Sequence, residues 1–319
     1  MKAAALALLR WCGVMLVVSV SSAAELQAQS ADDALFACPT RIDRIGRILV
    51  PVMINGRGPF RLVMDTGASH STISPHLARL LGMTPEVDKP VIVNGVTGTE
   101  QLPSVTIERL QAGEVVIEHV QVPVVETAML ANADGVLGVA GLTHERILAD
   151  FQNNRVVINH SHNRDALAGF VRIPANRVEE GILLISARVG GVNVVAVIDT
   201  GSERTLGNLA LRDALHARHR IRDATFTDVY GATSAVSSGE VALAPVISMG
   251  GAQINEVEMV YGDFHIFEVW KLLDRPAVIV GMDVLGSVPA LAIDFARSEL
   301  YLKRDAGTLA IVPSPHFGR

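Results

Sequence analysis

The tripeptide Asp-Thr-Gly stands twice in this chain, at Asp65-Thr66-Gly67 and Asp199-Thr200-Gly201, each time at the end of a β-type apolar run. Arg61-Leu62-Val63-Met64 leads into the first copy and Val195-Ala196-Val197-Ile198 into the second. Other landmarks keep step with them. Ile48-Leu49-Val50 and Ile182-Leu183-Leu184 both begin 17 positions before their aspartate (65 − 48; 199 − 182), and Gly56 and Gly190 fall nine before (65 − 56; 199 − 190). Downstream, Val136-Leu137-Gly138 answers Ile279-Val280-Gly281, and Asp150-Phe151 answers Asp294-Phe295. Apolar strands follow both, at Arg155-Val156-Val157-Ile158 and Leu300-Tyr301-Leu302. A period of 134 residues (199 − 65) is far longer than a solenoid repeat and marks duplication of a domain-sized unit.

A carboxylate at a strand-to-turn junction projects from a rigid base, and the glycine after it permits a turn that a side chain would hinder. Two such groups within a hydrogen bond of each other cannot both ionise cheaply, so one pKa rises and the other falls. The pair then holds one proton, and a bridging water can lose a proton to one acid while the other donates to a carbonyl oxygen. That chemistry suits amide hydrolysis without a metal or a covalent intermediate.

Across roughly residues 45 to 305 the sequence resembles the pepsin clan of aspartic proteases, in particular its retropepsin-like bacterial branch; that clan is itself the standard instance of the split dyad. The matching residues are Val63-Met64-Asp65-Thr66-Gly67-Ala68-Ser69, Val197-Ile198-Asp199-Thr200-Gly201-Ser202, and the two apolar-apolar-Gly tripeptides ending on Gly138 and Gly281. Gly281-Met282-Asp283-Val284-Leu285 is similar to the retropepsin stretch after that glycine. The resemblance implies an all-β fold of two homologous pepsin/retropepsin-like β-barrel lobes, related by a pseudo-twofold, with a few short helices. It implies that Asp65 and Asp199 form the catalytic dyad and that Thr66 and Thr200 hydrogen-bond across the lobe interface. Gly67 and Gly201 would expose amides beside the carboxylates, and Gly138 and Gly281 would mark where an apolar strand passes beneath each active turn. Aspartic endopeptidase activity follows, the alternative being a catalytically silent peptide-binding protein with the same cleft.

The copies are not identical. Three positions after the acid, the first has Ala68 and the second Ser202, whose hydroxyl could donate to a carboxylate oxygen. On that ground Asp199 is expected to be the more readily ionised acid and Asp65 the one more often protonated. The stretch from acid to the next Thr-apolar pair, Thr72-Ile73 or Thr205-Leu206, is also one residue shorter in the second copy, which suggests a differently shaped turn.

A hydrolytic cleft needs a cover that excludes water and grips the peptide. Asn94-Gly95-Val96-Thr97-Gly98 carries the Asn-Gly hairpin signal, and Tyr230-Gly231-Ala232-Thr233-Ser234 stands at a matching distance from its acid. Two flaps are therefore possible, as in dimeric retropepsins, where pepsin-like enzymes have one. Each is also readable as an ordinary surface hairpin, and Tyr230 as strand-end packing.

With aromatic residues at 4%, the 49% hydrophobic content is carried mainly by Val, Leu, Ile and Ala, in short runs such as Val115-Val116-Ile117 broken by Gly, Asn and Pro. Helices should be few: Pro75-His76-Leu77-Ala78-Arg79-Leu80-Leu81, stopped by Gly82, and a counterpart over 208–218. Lys2 and Arg10 precede the apolar run 11–20 and the small residues Ser22-Ala23-Ala24, a signal-peptide pattern with cleavage expected after Ala24. The mature protein is then expected to be periplasmic or secreted, touching a membrane only if this segment is uncleaved. The implied divisions are a signal peptide over 1–24, an N-terminal segment over 25–44, and lobes over 45–168 and 169–319. The stretch between Ala24 and the first repeat strand is too short for a long inhibitory propeptide. Cys12 lies in the signal and Cys38 is alone after it, so no internal disulfide is expected, and Cys38 precedes the repeat, away from any nucleophilic role.

Other chemistries find little support. His216-x-x-His219 sits in a basic stretch better read as a solvated helix than as a metal site, and Gly135-x-x-Gly138-x-x-Gly141 lacks the spacing of a dinucleotide loop. A net charge of −6 gives no basic footprint for nucleic acid. The expected partner is a peptide or protein substrate, with no cofactor and no metal. Both acids lie in one chain, so a monomer is expected, a homodimer of paired halves being the alternative.

Overall fold

In a computed structural model of the chain, the structure describes residues 38–39, 41–42, 46–126, 130–161, 167, 169–178, 181–221, 225–303 and 310–311. The expected signal segment 1–24 with Cys12, residues 25–37, and the side chain of Cys38 lie outside the described residues.

Each half begins with the hairpin that delivers its acid. Ile48–Ile54 pairs antiparallel with Arg57–Met64, Leu49 opposite Val63. Leu183–Val189 pairs in the same way with Val192–Ile198, Leu184 opposite Val197. The hairpins turn at Gly56 (φ 73°) and Gly190 (φ 56°), conformations in the left-handed region that glycine enters without a Cβ penalty. Along Leu183–Val189 buried and exposed residues alternate toward its end, the period-2 pattern of a strand with one face in the core.

A short strand from far downstream then lies parallel to the end of each acid-bearing strand. Gly135–Leu137 runs beside Leu62, Val63 and Met64, and Ala277–Val280 beside Val195 to Ile198. The strand after each acid closes the motif from the other side: Thr72–Ile73 pairs antiparallel with the first short strand, and Leu206–Asn208 with the second. The second inserted strand is covered on both faces, with Ala277, Val278, Ile279 and Val280 all fully buried, while Val136 of the first is partly exposed.

The two expected helices follow at equal distances from their acids (75 − 65; 209 − 199). Pro75–Leu81 is capped by Ser74, whose hydroxyl accepts the Leu77 N–H at 3.1 Å, and is stopped by Gly82 at φ 74°. Leu209–His216 is capped by the Asn208 side chain, which accepts the Leu211 N–H at 2.9 Å. The second half also has short helices at His265–Val269 and Met282–Leu285.

The halves meet in a shared sheet. Glu145–Asp150 pairs with Arg155–His160, and Ala290–Asp294 with Glu299–Lys303; the two hairpins then join through Glu145–Asp150 and Ala290–Asp294, Ile147 opposite Ile293. Phe170–Arg177 bridges from Glu299–Lys303 into Leu183–Val189. Two short strands repeat that bridge in the first half: Cys38–Pro39 pairs with Arg155–His160 and Arg41–Ile42 with Ile48–Ile54, so sheet pairing reaches upstream of residue 45. One aliphatic core, including Ile54, Leu62, Leu137, Ile147, Ile198, Ile279 and Ile293, runs through both halves. The architecture is the expected all-β pair of repeated lobes. No helix among the described residues is long and apolar enough to cross a membrane.

Candidate active site

The two acids emerge from equivalent backbone positions. Asp65 donates its N–H to the Leu137 carbonyl at 3.0 Å, and Asp199 donates its own to Val280 at 3.1 Å, so the inserted strands fix where both turns begin. Four hydrogen bonds then lock the turns to each other. Thr66 Oγ1 donates to the Ile198 carbonyl at 2.7 Å and accepts the Thr200 N–H at 3.1 Å. Reciprocally, Thr200 Oγ1 donates to Met64 at 2.7 Å and accepts the Thr66 N–H at 3.2 Å. Both threonines are buried, so each bond is shielded from competing water.

The glycines let the turns approach. A Cβ placed on Gly67 would lie 2.5 Å from Asp199 Cγ, and one on Gly201 would lie 2.2 Å from Asp65 Cγ, distances that no side chain tolerates. Each glycine amide also donates to the acid before it, Gly67 to Asp65 Oδ1 at 2.8 Å and Gly201 to Asp199 Oδ1 at 2.9 Å. The carboxyl groups hydrogen-bond to each other, which requires one shared proton.

Burial pushes both acids above the usual carboxylate range. Asp199 rises further, because the charge of Asp65 opposes its ionisation in addition to desolvation. Asp65 is drawn back by its hydrogen bond from Asp199, by the Gly67 amide, by the positive charge of Arg47 and by the Ala68 amide. Both shifts belong to the pair, which shares its proton, and the hydroxyl contact expected to favour the charged form of Asp199 is absent. The Ser202 hydroxyl turns away and donates to the Arg204 carbonyl at 2.7 Å; its backbone N–H, at 3.1 Å, is the group that reaches Asp199 Oδ1.

The lengths of the two turns also correct the sequence comparison. Ser71 and Thr205 both stand six positions after the acid (71 − 65; 205 − 199), and each hydroxyl accepts an N–H at 3.2 Å, from Gly138 and Gly281 respectively. Thr72 and Leu206 occupy the same register, opposite Val136 and Ile279, so the second turn is not shorter. The apparent deletion came from matching the two Thr-apolar pairs by residue type, whereas the hydroxyl-to-glycine bond fixes the equivalence. Gly138 and Gly281 lie directly under the turns: a Cβ would come within 2.6 Å of the His70 carbonyl oxygen or the Arg204 carbonyl oxygen.

Beneath the second turn alone lies a third carboxylate. Asp283 Oδ2 accepts the Thr205 N–H at 2.9 Å, while its Oδ1 accepts the Thr205 hydroxyl at 2.7 Å and the Val284 N–H at 2.9 Å. Burial raises its pKa to about 6.

The dyad opens into a cleft of about 370 Å³. Ile92, Val93, Val125, Leu130 and Val136 line its first-half wall, and Leu206, Val229, Val260, Ile266 and Trp270 the second, with Arg47, His70, Glu203, Arg204 and Asp228 supplying charge or polarity. Both glycine-marked hairpins arch over this space. Glu86–Gly95 and Gly98–Ala112 pair with Gly95 opposite Gly98, so the first turn is centred on Val96-Thr97, within the expected 94–98 stretch. Asn94 is instead held in the ladder, where its side chain accepts the Thr99 hydroxyl at 2.8 Å. Thr225–Tyr230 and Val236–Leu243 form the second hairpin, Tyr230 opposite Val236, with Tyr230 exposed at the cleft margin.

The hairpin tips touch. Thr97 and Thr233 hydroxyls lie 3.2 Å apart and both residues are buried. The Ser234 N–H donates to Glu100 at 2.9 Å, and Thr99 Oγ1 lies 2.7 Å from His265 Nε2. The tips are packed closely at this junction: a Cβ on Gly95 would lie 3.2 Å from the Ala232 nitrogen, and one on Gly231 3.0 Å from Thr97 Oγ1, so the neighbours would have to give by a few tenths of an ångström.

Sequence reasoning assigned no role to Arg47, Asp283, Ser71 or Thr205. Arg47 precedes the motif by 18 positions and enters the cleft only through the fold, but the Ser71 and Thr205 pair was legible as a hydroxyl at one offset from each acid. His216 lies 3.2 Å from Glu240, and among the described residues no group of three or more His, Cys, Asp or Glu is placed to hold a metal ion.

The family model described as aspartyl protease matches the chain twice, over residues 50–140 and 185–284, one match for each acid-bearing turn. No curated protein matches the chain.

Proposed function

The chain belongs to the aspartyl protease family, and from that premise we propose that it is an aspartic endopeptidase that cleaves peptide bonds with a water held between Asp65 and Asp199. The observation that carries this reading is the hydrogen-bonded pair of acids, brought together from equivalent turns at the floor of a covered cleft. A binding protein gains nothing from a repelling carboxylate pair locked by four buried threonine hydrogen bonds.

In this mechanism the Asp65 carboxylate takes a proton from the water as its oxygen adds to the scissile carbonyl carbon. Asp199 gives its proton to the carbonyl oxygen, leaving a neutral gem-diol. The proton on Asp65 then passes to the amide nitrogen, a diol hydroxyl returns a proton to Asp199, and the C–N bond breaks. Both acids regain their starting states, so the cycle needs no cofactor.

The hairpins ending at 94–98 and 230–234 act as two flaps that part to admit an extended peptide. Their edges then offer backbone hydrogen bonds, while alternate side chains enter the apolar walls. One chain supplies both acids, so the active form is a monomer. The signal pattern in 1–24 supports a periplasmic or secreted enzyme of the retropepsin-like bacterial branch, acting on peptide or protein substrates rather than nucleic acid.

The test is incubation of the purified mature chain with a peptide library, with and without a statine inhibitor that mimics the gem-diol. Cleavage blocked by the inhibitor supports the reading. Peptide capture with no cleavage at any acidic or neutral pH would replace it with the silent binding protein.

A further inference from the structure

The second active turn rests on a buried acid that the hydrolytic cycle does not use. Asp283 opens the short helix Met282–Leu285 just after Gly281, with the inserted strand ending beneath the dyad. Its carboxylate takes both donors of Thr205, and the Thr205 hydroxyl in turn accepts the Gly281 N–H. Two backbone bonds tie the same segment to the turn: Met282 N–H to the Ser202 carbonyl at 2.8 Å and Asp283 N–H to that of Glu203 at 3.1 Å. Ser202 is the residue whose amide holds Asp199 Oδ1. A continuous path therefore runs from Asp283 through Thr205 and the Ser202–Arg204 backbone to the acid.

The first half keeps the backbone part of this path and lacks the carboxylate. Val139 and Ala140 donate to the Ala68 and Ser69 carbonyls, both at 2.9 Å, and Gly138 to Ser71. The position equivalent to 283 is Ala140 (281 + 2; 138 + 2), which has no group to offer Ser71.

We propose that Asp283 is a positioning residue for Asp199, fixing through Thr205 the turn whose amides hold that acid against Asp65. The inference rests on the hydrolase reading for its kinetic test, but its structural content does not. Charged neighbours on the turn over it are Glu203 and Arg204, the latter favouring the ionised brace.

The experiment compares Asp283→Ala, Asp283→Asn, Thr205→Val and the double variant Asp283→Ala/Thr205→Val, with kinetics on the cleaved library peptide and ¹³C NMR titration of the aspartate carboxyl carbons. Asp283→Ala should lower kcat roughly 10- to 100-fold, the loss that a small misplacement of a reacting group brings, with KM within about twofold. Asp283→Asn, which keeps one acceptor, should fall between Asp283→Ala and the parent. The double variant should lose no more than the worse single one, because both substitutions cut one path. The dyad's shared proton should titrate at a shifted pH in Asp283→Ala.

An unchanged kcat per folded molecule together with an unshifted dyad titration would overturn the proposal, as would fully additive losses. If Asp283→Ala does not fold, Asp283→Asn carries both measurements. A parent chain that cleaves nothing, yet whose dyad titration moves in the variants, would sink the hydrolase reading and leave the positioning role standing. Cleavage by the parent with neither readout moved by Asp283 would do the opposite.

Discussion

At the turn of the first half, Asp65 receives the Gly67 amide at 2.8 Å and feels the buried Arg47 from outside the turn; position 181, at the same distance before the second acid, is Gly181. At the turn of the second half, Asp199 receives the Gly201 and Ser202 amides and rests on the Thr205–Asp283 pair, where the first half has Ser71 and Ala140. The backbone frames agree in length, caps, threonine locks and underlying glycine. Their charged surroundings do not. A homodimer would be forced to present the same neighbours to both acids, whereas a duplicated chain can put a cation beside one and a buried carboxylate under the other. The difference gives each acid its own electrostatic surroundings.

The largest expected effect is where the halves should agree. Asp65→Asn and Asp199→Asn each remove a proton carrier that the other cannot replace, so each should cut kcat by roughly 10³-fold or more while peptide binding, measured by titration calorimetry, survives. Retention of substantial turnover by either variant would break the shared-proton account.

Next comes stability against pH, where the halves should differ. Asp283 holds its proton more tightly folded (about 6) than unfolded (3.8), so it contributes stability at low pH that is lost as pH rises from about 4 through 6. The window spans about two pKa units, or about 3 kcal/mol at most. Asp283→Asn should flatten urea-denaturation stability across that window. The buried dyad contributes loss of the same sign, so a residual slope should remain.

Thr66→Val and Thr200→Val each leave a buried N–H and a buried carbonyl without their partner. A loss of about 1–3 kcal/mol for each lost pairing is expected from denaturant melts, equal for the two halves. Unequal losses would show that one turn is supported from elsewhere. The smallest effect belongs to Ser202→Ala. Its hydroxyl reaches only the Arg204 carbonyl, so the acidic limb of the pH–rate profile should stay in place and stability should fall by about 1 kcal/mol. A displaced limb would return the hydroxyl to the dyad.

The repeat, the acids, the threonines and the helix after each turn were legible because each depends on residue type at a fixed offset from Asp65 or Asp199. What depends on orientation was not. Nothing in the sequence says whether the Ser202 hydroxyl or its amide faces the acid, and the hydroxyl's rotamer is set by the nearby Arg204 carbonyl. Asn94-Gly95 marked the 94–98 hairpin correctly, with Val96-Thr97 as its loop. The contact between tips, which puts Gly95 and Gly98 against Thr233 and Ala235, was not legible, because it joins segments more than 130 residues apart. Arg47 and Asp283 were beyond reach for the same reason: their roles arise from distant segments packed under or beside the turns. The strands at 38–42 are too short to carry a periodic signal and are recognisable only by their partners.

The seam between the halves has a consequence for any attempt to separate them. Glu145–Asp150 and Ala290–Asp294 are each other's lateral neighbours, five residues opposite five. A fragment ending before residue 290 would expose the unpaired backbone edge of Glu145–Asp150, and two copies of that fragment could satisfy it by docking on themselves. Splitting the gene product should therefore yield sticky, self-associating pieces rather than two well-behaved domains.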